Sequence, residues 1–346
     1  MAPLHAIENL DDALDATTGF LRPVDRSTWV KLAIVAFFIG GPGANANSVQ
    51  WTFGGGGGNG GGGPPSVVVE SIGGVELLVA AAVIAAALGL ALLFVLVGSV
   101  MEFVFVQSLR RETVEVREYW RAHWRRGLRL FAFRLALFAF VLGSVAVLAI
   151  PLLVGAFDVA TVTSGVAIAF FVVLLPIVLV LAITVGVVNG FTTVFVVPIM
   201  LLEDCGVLAG WRRLWPSVRS APVQFLAYLV ASFFLGVLGG VFVLVVTLAL
   251  AIVLLVPFGV LFAVGGAVLA FVSEAAGVAV LVVVGAAYAL AVLAVVALAQ
   301  VPVQTYLRYY ALLALGDVDP ELDAVPDQRD RVRDHDDDDA ATEPAG

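Results

Sequence analysis

Apolar positions in this chain gather in runs too long and too unbroken for the half-polar faces of a soluble fold. The long ones are Val75–Val106, Leu128–Val154, Val166–Met200, Pro222–Val256 and Gly277–Thr305. A helix crosses the hydrocarbon layer with about 20 apolar residues, so each of the five is long enough for a span. A sixth run, Trp29–Gly43, is shorter. Its best part, Trp29–Ile39, makes only about 16 Å of helix and on length alone reads as an interfacial segment. Ahead of it, Leu4, Ile7, Leu10, Leu14 and Leu21 recur at helical spacing, with Asp11, Asp12 and Asp15 off the stripe. That pattern predicts an amphipathic helix on the inner membrane surface within residues 1–28, halted at Pro23.

Charge placement decides the short run. The basic residues fall before or at it (Arg22, Arg26, Lys31), around the second-to-third connection (Arg110 through Arg134), between the fourth and fifth runs (Arg212, Arg213, Arg219) and after the last (Arg308, Arg329, Arg331, Arg333). The connections around 44–74, 155–165 and 257–276 hold none. If all six runs cross, every one of the 18 Lys and Arg residues lies on one side, as the positive-inside bias demands. The expectation is therefore an all-α integral protein of the cell membrane with six transmembrane helices and both termini cytoplasmic. Trp29, Trp120, Trp124, Trp211 and Trp215 fall at the cytoplasmic boundary and Trp51 in an outer loop, where amphipathic rings settle. Pro257, Gly259, Gly265, Gly266 and Glu274 mark the last outer turn, as a loop or a re-entrant piece within 257–276.

Two of the cytoplasmic connections repeat one pattern. Glu112, Val116, Trp120, Arg121 and Trp124 match Glu203, Val207, Trp211, Arg212 and Trp215 at an offset of 91, and the preceding spans share that register. The last span supplies a third copy without the tryptophans. Architecture then follows as three in–out–in hairpin repeats. Interfacial amphipathic helices lie near 112–127 and 206–220, with Trp rings toward lipid and Arg121 and Arg212 toward headgroups.

Composition narrows the classes. With 61% hydrophobic and 13% charged residues, no cytosolic core could hide the apolar surface. The net charge of −9 is concentrated in the ends, above all in residues 316–346, which hold twelve acids against three bases and read as a disordered cytoplasmic tail. Acidic ends disfavour nucleic acid, and Arg preferred to Lys points to a salt-loving proteome. One cysteine, Cys205, excludes a disulfide within the chain, and no spacing predicts a metal or cofactor site. The glycine tract Gly54–Gly63 is followed by Pro64 and Pro65 rather than by Lys and Ser/Thr, so it reads as a flexible outer linker between 44 and 74, not a phosphate loop.

Polar residues inside the runs are few. Glu102 sits in the second span, where a charge costs about 2.5–3.5 kcal/mol on insertion scales, and Arg134 on the next, antiparallel span is placed to pair with it. Asn189, Thr192 and Thr193 in the fourth span and Gln300, Gln304 and Thr305 in the sixth share a depth. They would line a polar path or bond between helices. Pro176, Pro198 and Pro302 kink or end these helices. For chemistry there remain His123, Glu112, Glu115, Glu118, Asp204 and Cys205, in no catalytic spacing.

The segment Phe195–Arg219, FVVPIMLLEDCGVLAGWRRLWPSVR, resembles the membrane domain found with glycerophosphodiester phosphodiesterases, through Pro198, Glu203, Gly206, Trp211, Trp215 and Arg219. Val301–Asp319, VPVQTYLRYYALLALGDVD, resembles the final span of an uncharacterised family of haloarchaeal membrane proteins. The resemblance implies a six-span bundle with no assigned chemistry, and the phosphodiesterase activity does not carry over without its catalytic domain. The leading expectation is a protein without enzymatic activity that organises the membrane or binds a partner. Its partners would be membrane lipids, and another membrane protein or a second copy. The alternative is a transporter or permease using polar groups of helices 2, 4 and 6.

Overall fold

The computed structural model describes residues 5–22, 25–40, 74–157 and 164–342, and among these the chain is helical with no strand. The glycine tract and Trp51 lie outside the described residues. Five helical stretches are long and apolar enough to cross a membrane. They are α3 (Gly74–Arg111), α4 (Val116–Phe157), α5 (Ser164–Phe191) continued through a wider turn at Thr192–Val196 into α6 (Val197–Leu202), α8 (Pro222–Phe271) and α9 (Glu274–Val318). The short run forms α2 (Arg26–Gly40), about 22 Å long, which falls short of the hydrocarbon thickness. It packs against α3 and α9 through Leu32, Val35 and Ala36, which are almost fully buried. Five of the expected six spans therefore have the length of a crossing.

The packed core lies at the arginine-rich end. Phe103, Val104 and Val106 of α3, Val196 and Ile199 beside the wide turn, and Tyr309, Leu312 and Leu313 of α9 are fully buried there. Phe195, Tyr228 and Tyr310 join α8 to this core, with ring centroids 4.9 Å apart for Phe195–Tyr228 and 5.4 Å for the stacked Tyr228–Tyr310. Toward the other end the same helices expose apolar faces, among them Leu78, Phe138, Leu175 and Val256. In lipid such faces are solvated by acyl chains and need no protein partner.

Four expectations change. The last turn falls within 257–276 but only at its far end: α8 runs through Pro257, Gly259, Gly265 and Gly266, and the chain reverses at Val272 and Ser273, beside Glu274, with the Ser273 hydroxyl capping α9 by accepting from the Ala276 N–H. Pro257 is accommodated within a long helix, as membrane helices permit. The two arms make a hairpin about 75 Å and 68 Å long, closed near its tip by Gly277, where any Cβ would run into the Leu269 backbone.

The first Trp-bearing segment is not a separate helix, because Val116–Gly127 are the opening turns of α4. Its counterpart α7 (Val207–Ser220) is separate, since Ala221, at φ −132° and ψ 55°, precedes Pro222 and is forced out of the helical region. Phe131 stands at the matching position of α4 and has an N–H to give. α1 (His5–Leu21) packs on the body with Asn9, Asp12, Ala13, Ala16 and Thr17 at the centre of its buried face; of the leucine stripe, Leu10 and Leu21 lean on the core at its edge and Leu14 stays exposed. Small side chains let the helices approach, and Arg333 bonds Asp12 at 3.2 Å and Asn9 at 3.3 Å.

The acidic tail is the fourth change. Its first part folds back over the core, with Leu322 and Val325 fully buried, and α10 (Pro326–Thr342) follows. Arg110 Nε donates to the Ala324 carbonyl at 3.0 Å, and Gln328 Nε2 donates to the Arg110 carbonyl at 3.1 Å, serving the end of α3.

Candidate functional site

The structure gathers the intramembrane charges into one cluster. Glu102 on α3, 1% exposed, lies between two guanidinium groups. Arg134 on α4 approaches it at 3.7 Å, and Arg308 on α9 makes a direct charged hydrogen bond to the other carboxylate oxygen. Arg134 also donates to Ser99 Oγ at 2.8 Å and to Thr193 Oγ1 at 3.0 Å. Buried ions of this kind are tolerated only when their remaining hydrogen-bonding capacity is met.

The wide turn explains how Arg308 is held. Within Thr192–Val196 the backbone bonds run one residue further than in an α-helix, so the Val197 N–H donates to the Thr192 carbonyl. The next donor in that register would be residue 198, which is proline and has no N–H. The Thr193 carbonyl is thereby left open, and Arg308 Nη1 donates to it at 2.7 Å. Arg308 had the look of a flanking cation past the last apolar run. Its place inside α9, about 15 Å before the helix ends, was signalled only by the apolar residues that continue to Leu315.

Beside the cluster lies a cavity of about 90 Å³, lined by Glu102, Thr193, Tyr228, Ser232, Gln304 and Arg308 with apolar residues of α5 and α8. Three of the sequence-marked polar residues, Glu102, Thr193 and Gln304, thus meet at one void. Asn189 and Thr192 are occupied locally: the Asn189 carbonyl accepts from Thr193 Oγ1, and Thr192 Oγ1 accepts from Trp211 Nε1 at 2.9 Å. The Gln300 Oε1 and Thr305 Oγ1 atoms are buried without a hydrogen-bond partner.

The Arg–Trp segments lie side by side at the same end, linked by Arg126 Nη2 to Asp204 at 2.6 Å. That bond holds the Asp204 carboxyl below its ordinary value. The four tryptophans divide into two kinds. Trp120 and Trp211 lean on the core, whereas Trp124 and Trp215 are 48% and 47% exposed. Each exposed ring carries an arginine, Arg125 at 5.8 Å over Trp124 and Arg219 at 5.0 Å over Trp215. Arg121 and Arg212 are exposed beside them.

The groups with chemical potential are spread out, and Glu115 and Glu118 among them are exposed. His123 Nδ1 meets Arg126 Nη1 at 2.7 Å, and Glu112 accepts from Arg331 at 2.6 Å. Burial and the neighbouring Glu203 push the Cys205 thiol up, away from the reactive thiolate. No group of His, Cys, Asp and Glu among the described residues is arranged to hold a metal ion.

The model of a family of unknown function, DUF7544, matches residues 4–325. No curated protein and no solved structure matches the chain.

Proposed function

This chain belongs to the family of unknown function DUF7544, and we propose that it is a non-enzymatic, multi-pass protein of the cell membrane that engages lipid headgroups of the inner leaflet through its Arg–Trp end. The reading takes α2 as a sixth crossing, which keeps both termini on the cytoplasmic side and every basic residue toward that end, with Arg134 and Arg308 buried just within it. One observation carries it. Trp124 and Trp215, on two different helices, are each half-exposed and each covered by an arginine, an arrangement that suits the zone between acyl chains and phosphates. Arg329, Arg331 and Arg333 are paired with acids of the chain itself, so the headgroup role falls to Arg121, Arg125, Arg212 and Arg219.

Tryptophan quenching tests it. In a chain retaining only Trp124 and Trp215, with Phe elsewhere, lipids brominated near the headgroup quench most of the emission. Emission that such lipids leave unchanged overturns the reading. A transporter is the second reading, favoured by the void that joins polar residues of α3, the wide turn, α8 and α9. Solute flux into liposomes that disappears with Gly236→Leu, which fills the void and leaves the Glu102 ion pairs intact, would establish it in place of the first.

A further inference from the structure

Two guanidinium groups share one carboxylate at the core, leaving the Glu102, Arg134 and Arg308 cluster with one positive charge in excess. Such an excess is costly away from water and invites an anion. The neighbouring cavity gives access. Its walls are α5 (Val187, Phe191) and α8 (Leu229, Ser232, Gly236), with Arg308 and Glu102 at the inner end. Val187, Phe191, Leu229 and Ser232 are part-exposed, and the adjoining Ile183, Val230 and Phe234 are exposed, so the opening faces sideways into the lipid zone. Gly236 is buried, yet a Cβ built on it meets nothing within 4 Å, because it borders this void. The volume of about 90 Å³ holds several water-sized groups. The hydroxyls of Tyr228 and Ser232 and the amide of Gln304 add neutral donors to the charge of Arg308.

Depth chooses the occupant. Arg308 is bonded to Glu102, which lies eight residues, about 12 Å, along α3 from Arg110, so the cluster sits just beneath the arginine-rich end and within reach of a headgroup drawn in from it. The mouth, by contrast, is apolar. A hydrated inorganic ion would have to shed water to pass it, whereas an acidic headgroup arrives with acyl chains that match those walls. We infer that this cavity takes the phosphate-bearing headgroup of one anionic phospholipid, entering sideways from the bilayer with Arg308 as its charge partner.

The site is distinct from the Arg–Trp surface, and the experiment separates them. Purified full-length chain is titrated with phosphatidylglycerol or phosphatidylcholine and lipid-bound species are counted by native mass spectrometry. One phosphatidylglycerol is retained with about tenfold preference, the scale of one charge-assisted bond. Gly236→Leu fills the void without touching a charge and abolishes the preference at unchanged melting temperature. Ser232→Leu fills it from another position and does the same should the first variant fold poorly. Trp124→Ala with Trp215→Ala leaves the retained lipid in place and loses only further, looser lipids. Equal retention of the two lipids, or a preference that survives both filling substitutions, overturns the inference. So does full displacement of phosphatidylglycerol by inorganic phosphate, which would make this a site for a free anion.

Discussion

Glu102 is a fully buried carboxylate on which two buried cations depend. Replacing it with Gln leaves Arg134 and Arg308 facing one another across a neutral amide. The cost of uncovering a buried partner is about 3–5 kcal/mol. The expected outcome is a large drop in melting temperature for Glu102→Gln, with partial recovery in Glu102→Gln/Arg308→Met, where charge and partner leave together; thermal unfolding in nanodiscs reads both. How far the sequence discloses the cluster depends on the residue. Glu102 and Arg134 are conspicuous because a charge inside an apolar run needs a partner. Arg308 is not, because a cation three residues beyond a run looks like any membrane-flanking arginine. Nor does anything in the sequence mark Pro198 as the reason a carbonyl two helices away from Glu102 is open to Arg308. That emerges only when the register of the wide turn is known.

At the scale of elements, close approach of α3 and α4 depends on Gly127. A Cβ there would meet Val100, both its side chain and its Cα. Gly127→Val should therefore cost about 1–3 kcal/mol as an overpacked contact. Gly143→Ala, on the same helix where a Cβ meets nothing within 4 Å, should be neutral or slightly stabilising. Chemical unfolding of the two variants against the parent checks the contrast. The helices themselves were legible, since apolar runs of this length admit few other structures. Their ends were less so. Glycine and proline around Pro257–Gly266 read as a turn in water-based terms, yet a lipid-facing helix keeps its bonds through them. Similarly, two segments with the same Trp pattern differ in continuity through one proline, a distinction the pattern alone hides. Hydrophobic spacing marks only the edge of the α1 contact face, Leu10 and Leu21, because the small residues Ala13 and Ala16 that form its centre carry little hydrophobic signal.

For the whole molecule, the arginine-rich end is the folded body, and the last residues belong to it. Acidic composition argued for a solvated tail, but Leu322, Ala324 and Val325 are buried and Arg329 is paired with Asp323 at 2.6 Å. Ending the chain at Gly316 removes these contacts and the donors that serve the end of α3. It should lower stability by at least the cost of exposing two large apolar side chains, about 3–6 kcal/mol, whereas ending it after Asp334 should change little. Limited proteolysis and thermal unfolding distinguish the two. The hairpin of α8 and α9 sets the other dimension. Upright, a rod of about 75 Å would hold some 45 Å of bare aliphatic surface clear of a 30 Å hydrocarbon slab. Each large side chain left in water there costs about 1.5–3 kcal/mol, tens of kcal/mol in all, against fractions of a kcal/mol per Å for leaning over. Even at a tilt of about 40° the rod stands about 57 Å tall, so leaning is joined by a local thickening of the bilayer around the hairpin.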